Sequence, residues 1–113
     1  MLALKNRPEA IFAASDNLAW GVMDAAGELG LKIPEDLAIV GFDDTNFSAN
    51  SNIRLTTVSQ RKYEMGERGV RTLIDLIESQ QSDYINKIVL EPRLIIRESC
   101  GCNLSKKKSV VQN

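Results

Sequence analysis

Apolar residues in this chain fall into two patterns. Some come in short unbroken runs, and others recur at every third or fourth position over longer stretches. Ala10–Ala14, Leu37–Phe42, Leu55–Val58, Ile88–Leu90 and Leu94–Ile96 are runs of strand length, and they read as buried or half-buried strands. Between the first two, Leu18, Val22, Ala25, Ala26 and Leu29 share one helical face. Ser15 or Asp16 offers an N-cap oxygen and Gly30 a C-cap, so a helix is predicted over Asn17–Leu29. Trp20, Met23 and Gly27 form a second stripe on this helix, suited either to additional core or to a partner surface.

A second helix is predicted from Arg61 or Lys62 to Ser79. Tyr63, Gly66, Val70, Leu73 and Ile77 form one stripe, and Met65, Gly69, Thr72 and Leu76 a neighbouring one. Glu64 with Arg68 and Glu67 with Arg71 are i,i+4 pairs of favourable orientation. Gly66 and Gly69 weaken the helix, which predicts that they permit close packing. Thr45–Arg54 and Gln80–Asn86 are polar and read as loops. Asn103–Asn113 has little to pack and is expected to be disordered.

The resulting order alternates strands with helices, which indicates an α/β layer fold with a mainly parallel sheet. In such sheets ligands bind beyond the carboxyl ends of the strands. Leu37–Phe42 ends at that position in two acids, Asp43 and Asp44. Its apolar part requires a core, whereas its acids require water, a ligand or a cation.

Composition narrows the chemistry. A chain of 113 residues is one domain or part of one, with 43% hydrophobic and 26% charged residues. The net charge is −1, and Lys106–Lys108 supply the only basic run, so the remainder is more acidic still. Phosphate contact needs a clustered basic surface, and its absence argues against nucleic-acid binding by these residues. No apolar run reaches bilayer length and no signal-peptide pattern is visible, so a cytoplasmic protein that does not enter the membrane is expected. The chain has no histidine and two cysteines, Cys100 and Cys102, too few ligands for a metal site. The two thiols are expected to be bystanders. Consecutive strand residues face opposite ways, so Asp43 and Asp44 make a poor acid–base pair. No catalytic residue, metal or cofactor is expected.

Several segments resemble the LacI/GalR family of bacterial transcription regulators. Pro8-Glu9-Ala10-Ile11-Phe12-Ala13-Ala14-Ser15-Asp16 is similar to the family's strand-and-cap segment. The resemblance continues through Asn17–Met23, Gly30–Leu37, Ile39–Asp44, Leu55–Gln60, Tyr63–Gly66 and Arg97–Ser99, in the family's order and spacing. It covers roughly residues 7–100, and its specificity lies in the ordered combination.

The resemblance implies a type I periplasmic-binding-protein-like lobe, present in part. Residues 1–102 correspond to the C-terminal portion of the effector-binding and dimerisation domain, with 103–113 as a polar, basic tail. It implies a small-molecule effector, carbohydrate in character, contacted by Ser15, Asp43 and Gln60, with Asp16 adjacent as helix cap. It implies a homodimer through Trp20, Met23, Phe47 and Asn50, and DNA contact only through an N-terminal helix-turn-helix that these residues do not include. In the family the helix corresponding to Tyr63–Ser79 packs on the other lobe, which predicts either a rearranged or partner-swapped helix here or an incomplete core rescued by oligomerisation. Half a cleft is expected to bind a sugar weakly or not at all, because effectors are enclosed between lobes. A sugar-binding transport protein and a small acid-dependent enzyme are the alternative readings.

Overall fold

The computed structural model describes residues 2–3, 5–79 and 87–104. It divides into two units, residues 1–59 with 93–113, and residues 60–92.

The first unit is built on a four-stranded sheet in the order β1-β2-β3-β4: β1 Ala10–Phe12, β2 Ala38–Phe42, β3 Thr56–Ser59 and β4 Arg93–Ile95. The first three strands are parallel, and β4 runs antiparallel to β3. Helix α1, Asp16–Glu28, makes the crossover from β1 to β2. Ser15 is its N-cap: the backbone is extended there and the hydroxyl accepts from Leu18 N–H at 3.2 Å. Gly30 follows its end with φ 69, a left-handed turn that glycine adopts without cost.

The core consists of Ala13, Ala19, Ala26, Leu37, Ile39 and Leu55, with Ile11, Val22, Met23, Leu31 and Ile33 packed partly against it. The buried stripe of α1 is therefore Ala19, Val22, Met23 and Ala26, rotated about one position from the predicted one. Leu18 and Leu29 are 59% and 49% exposed. The fully buried positions of this stripe are the small ones, Ala19 and Ala26, while Val22 and Met23 are partly covered.

The predicted loop Thr45–Arg54 contains a short helix, α2, over Asn46–Asn50. Its N-cap residue Thr45 makes no side-chain cap, because its hydroxyl is engaged elsewhere. Polar composition concealed this helix. Ser48 Oγ donates to Thr45 carbonyl at 2.6 Å and Asn50 Nδ2 to Asn46 carbonyl at 2.8 Å, so polar side chains here support the turn locally.

The second unit contains α3, Lys62–Ser79. Arg68 pairs with Glu64 and Arg71 with Glu67, both at 2.9 Å. None of its residues is buried, and Tyr63, Val70, Leu73 and Ile77 are all more than half exposed. Beyond the helix's own backbone, no atom of the described residues lies within 4 Å of where a Cβ would sit at Gly66 or Gly69, so the close packing predicted for them is not seen. Ile88–Leu90, predicted as a strand, has no regular structure and lines a shallow hollow with Met65, Gly69 and Thr72. The predicted loop Gln80–Asn86 lies outside the described residues, as does the tail from residue 105. Asn103 and Leu104 belong to a turn closed by Leu104 N–H on Gly101 carbonyl at 2.9 Å.

Candidate functional site

The parallel register of β1, β2 and β3 places their carboxyl ends along one edge of the sheet. Ser15 follows β1 by three residues, and Asp43 and Asp44 follow β2 directly. Asp43 N–H donates to Val58 carbonyl at 2.9 Å, which extends the β2–β3 ladder by one bond. Beyond it the chain turns through two non-glycine residues with positive φ, 114 at Asp43 and 51 at Asp44. Such conformations cost about 1–3 kcal/mol each and persist only where surrounding contacts fix them.

Those contacts converge on two carboxylates. Asp16, in the first turn of α1, is fully buried. Its Oδ1 accepts from Thr57 Oγ1 at 2.5 Å, and its Oδ2 from Thr45 N–H at 2.7 Å and Thr45 Oγ1 at 3.1 Å. Thr57 Oγ1 in turn accepts from Asp44 N–H at 3.3 Å. The second carboxylate is Asp44 itself. Its Oδ1 accepts from Arg97 Nη2 at 2.7 Å. Arg97 also donates through Nη1 to Leu55 carbonyl and Ser48 Oγ, each at 2.9 Å. The Arg97 guanidinium holds the Asp44 carboxyl below the usual carboxylate range; partial burial opposes this and a hydrogen bond from Ser59 reinforces it.

The carboxylates of Asp16 and Asp44 are thus both bound up in internal hydrogen bonds. Asp16 was expected to cap α1 beside the ligand, but Ser15 is the cap, and both Asp16 oxygens are used internally. Asp44 holds the loop. Ser15 accepts from Leu18 and keeps its hydroxyl hydrogen for donation, and Asp43 is half-buried at the strand end. Gln60 opens the second unit and is described with it. Arg97, Thr57, Thr45 and Ser48 were not singled out from the sequence as site-forming residues. The available signal for Arg97 was a lone basic residue ending the apolar run Leu94–Ile96.

Trp20, Met23, Phe47 and Asn50 line one hollow of about 380 Å³ on the first unit, with Ile33 and Ile53 at its edge. The rings of Trp20 and Phe47 stack at 5.2 Å between centroids with a 40° tilt. Met23 also packs partly against the core, so it belongs to both surfaces. Among the described residues no group of His, Cys, Asp or Glu is arranged to hold a metal ion, and no helix is long and apolar enough to cross a membrane.

Residues 1–100 match the family described as periplasmic binding protein-like domain. The chain is 38% identical over 95 residues to the arabinose metabolism transcriptional repressor of Geobacillus stearothermophilus, covering 84% of this chain and 26% of that protein. It is 38% identical over 99 residues to the ribose operon repressor of Haemophilus influenzae, covering 88% of this chain and 30% of that protein. Its fold matches a LacI family transcriptional regulator from Enterococcus faecium with bound ribose at TM-score 0.75 and 31% identity, covering 83% of this chain and 35% of that one. The chain thus spans less than a third of the length of these two repressors.

Proposed function

This chain belongs to the periplasmic binding protein-like domain family, in the form found in LacI-family regulators, and we propose that it serves as part of the effector-sensing and dimerising region of such a repressor, answering to a carbohydrate. The observation that carries this reading is Asp43. It is a carboxylate at the carboxyl end of a parallel strand, held in a left-handed conformation by a network that leaves its neighbours no freedom. A carboxylate there accepts two sugar hydroxyls, and Ser15 supplies a hydroxyl at the end of the adjacent strand; Gln60 carries an amide that both donates and accepts, and its role rests on the family resemblance alone. Asp16 acts from behind by holding the wall. Residues 1–102 form the folded portion in this reading.

Trp20, Met23, Phe47 and Asn50 form the surface for a second copy. Operator contact comes from a helix-turn-helix outside residues 1–113, and the protein works in the cytoplasm, away from membranes. No catalytic step is proposed, because Asp44 and Asp16 are committed to internal bonds and the chain has no histidine.

The test is a chimera in which residues 7–100 replace the matching segment of the Haemophilus influenzae ribose operon repressor. Calorimetric titration with ribose, cellobiose and sucrose is expected to show binding that Asp43→Asn abolishes. The 113-residue chain alone is expected to bind at millimolar concentration or not at all. A folded chimera indifferent to every sugar, or one in which Asp43→Asn binds as before, would overturn the assignment.

A further inference from the structure

We propose that Cys100 and Cys102 are a redox pair, closing to an intramolecular disulfide by exchange with low-molecular-weight disulfides. Both are reduced thiols, Cys100 half-buried and Cys102 exposed. Their sulfurs converge on one atom: the Arg97 carbonyl oxygen lies 3.9 Å from Cys100 Sγ and 4.0 Å from Cys102 Sγ. In an extended chain, residues two apart are separated by about 7 Å between Cα atoms, which is the limit beyond which a disulfide does not close. Gly101 removes that obstacle. Its φ of 73 folds the chain back, and a turn bond from its N–H to Glu98 carbonyl at 3.2 Å fixes the fold.

The turn is anchored rather than loose. Ser99 is fully buried, donates from Oγ to Ile39 carbonyl at 2.6 Å and accepts from Thr56 N–H at 2.9 Å. Its own carbonyl accepts from Ile39 N–H at 2.8 Å. The sheet therefore sets where the two thiols emerge.

Reactivity also favours this pair. Partial burial pushes the Cys100 thiol up, but hydrogen bonds from Thr56 and from the backbone and side chain of Cys102 outweigh it and hold the thiol below its ordinary value. A thiolate is the nucleophile in disulfide exchange and a stabilised one is also the better leaving group.

The chemistry balances with oxidised glutathione as the oxidant. Cys100 thiolate attacks one glutathione sulfur, the glutathione S–S bond breaks, and the departing glutathione thiolate takes the proton that Cys100 gave up. Cys102 thiolate then attacks Cys100 sulfur in the mixed disulfide. The Cys100–Cys102 bond forms and the second glutathione leaves, taking the Cys102 proton. Two protein thiols lose two electrons, and one glutathione disulfide becomes two glutathione thiols. A ring closed between residues i and i+2 is strained, and strained, exposed disulfides are the ones readily reduced again.

The test equilibrates the full 113-residue chain in a series of reduced and oxidised glutathione mixtures, quenches with acid, alkylates free thiols and reads the intact mass. The expected result is a monomer that loses both thiols together and recovers both on reduction. Cys100→Ser and Cys102→Ser, checked for native circular dichroism, are expected to stop at a single glutathione adduct. Two stable adducts on the unaltered chain, thiols unchanged at the oxidised end of the series, or a disulfide-linked dimer would each overturn the proposal.

Discussion

Gly41 faces Asp16 so closely that a side-chain carbon at Gly41 would overlap Asp16 Oδ1 and press on Leu55 Cδ2. The only buried carboxylate of α1 therefore reaches Thr57 across a gap that glycine alone keeps open. Gly41→Ala is expected to destabilise the chain by about 1–3 kcal/mol, the usual cost of inserting a methyl into a packed site. Urea unfolding checks it. Stability equal to that of the unaltered chain would mean that Asp16 can withdraw at no cost.

The ion pair between Arg97 and Asp44 should give stability an acid limb. Asp44 titrates below its usual 3.8 when folded, so the folded state holds the ionised form more tightly than the unfolded chain does. The pair's contribution is complete above 3.8 and is lost as pH falls from there through the lowered folded value. Glu98, held below 4.5 by Arg54's backbone N–H and guanidinium, acts in the same sense over a window that begins higher. The pH dependence of stability across this range should flatten in Asp44→Asn and in Arg97→Met, while the effect of Glu98→Gln should begin at higher pH. An unchanged slope in Asp44→Asn would remove this pair from the acid response.

Trp20 is more than half exposed and stacks on Phe47 at the rim of the hollow assigned to a second copy. Large aromatic anchors of this kind carry much of an interface's binding energy. Trp20→Asp is expected to give monomers by light scattering with the circular dichroism spectrum preserved. An oligomer of unchanged size would exclude this surface.

Helix α3 carries an apolar stripe and buries none of its residues. A helix supported mainly by its own backbone and by i,i+4 ion pairs of a few tenths of a kcal/mol each should open readily. Amide hydrogen exchange across 62–79 is therefore expected to be much faster than across β2 and β3. Protection of α3 equal to that of β2 would require a partner for its apolar face.

The chemistry of this chain was legible where a residue type admits few roles. Runs such as Leu37–Phe42 gave the strands, and the alternation with helical spacing gave the layer order. The position of Asp43 at the carboxyl end of β2 was legible because the apolar run stops there. Three features escaped. The α1 core stripe escaped because side-chain size misled: Ala19 and Ala26 are buried, whereas the larger Leu18 and Leu29 are about half exposed. Helix α2 escaped because Ser48 and Asn50 bond the backbone beside them, which composition reads as loop. The clamp of Asp16, Thr45, Thr57, Asp44 and Arg97 escaped because its members are separated by up to 81 positions, and only the sheet register brings them together.

Ser59 and Arg93 are register partners, so the chain leaves the sheet at β3 and re-enters it as β4 opposite the same residue. Residues 60–92 are therefore, topologically, an oversized hairpin connection. Antiparallel neighbours can be joined by as little as a two-residue turn. The sheet thus dictates only that the excursion starts and finishes at one spot, and neither its length nor its content. The strand pairing itself therefore sets no requirement on residues 60–92 beyond the return of their two ends to that spot.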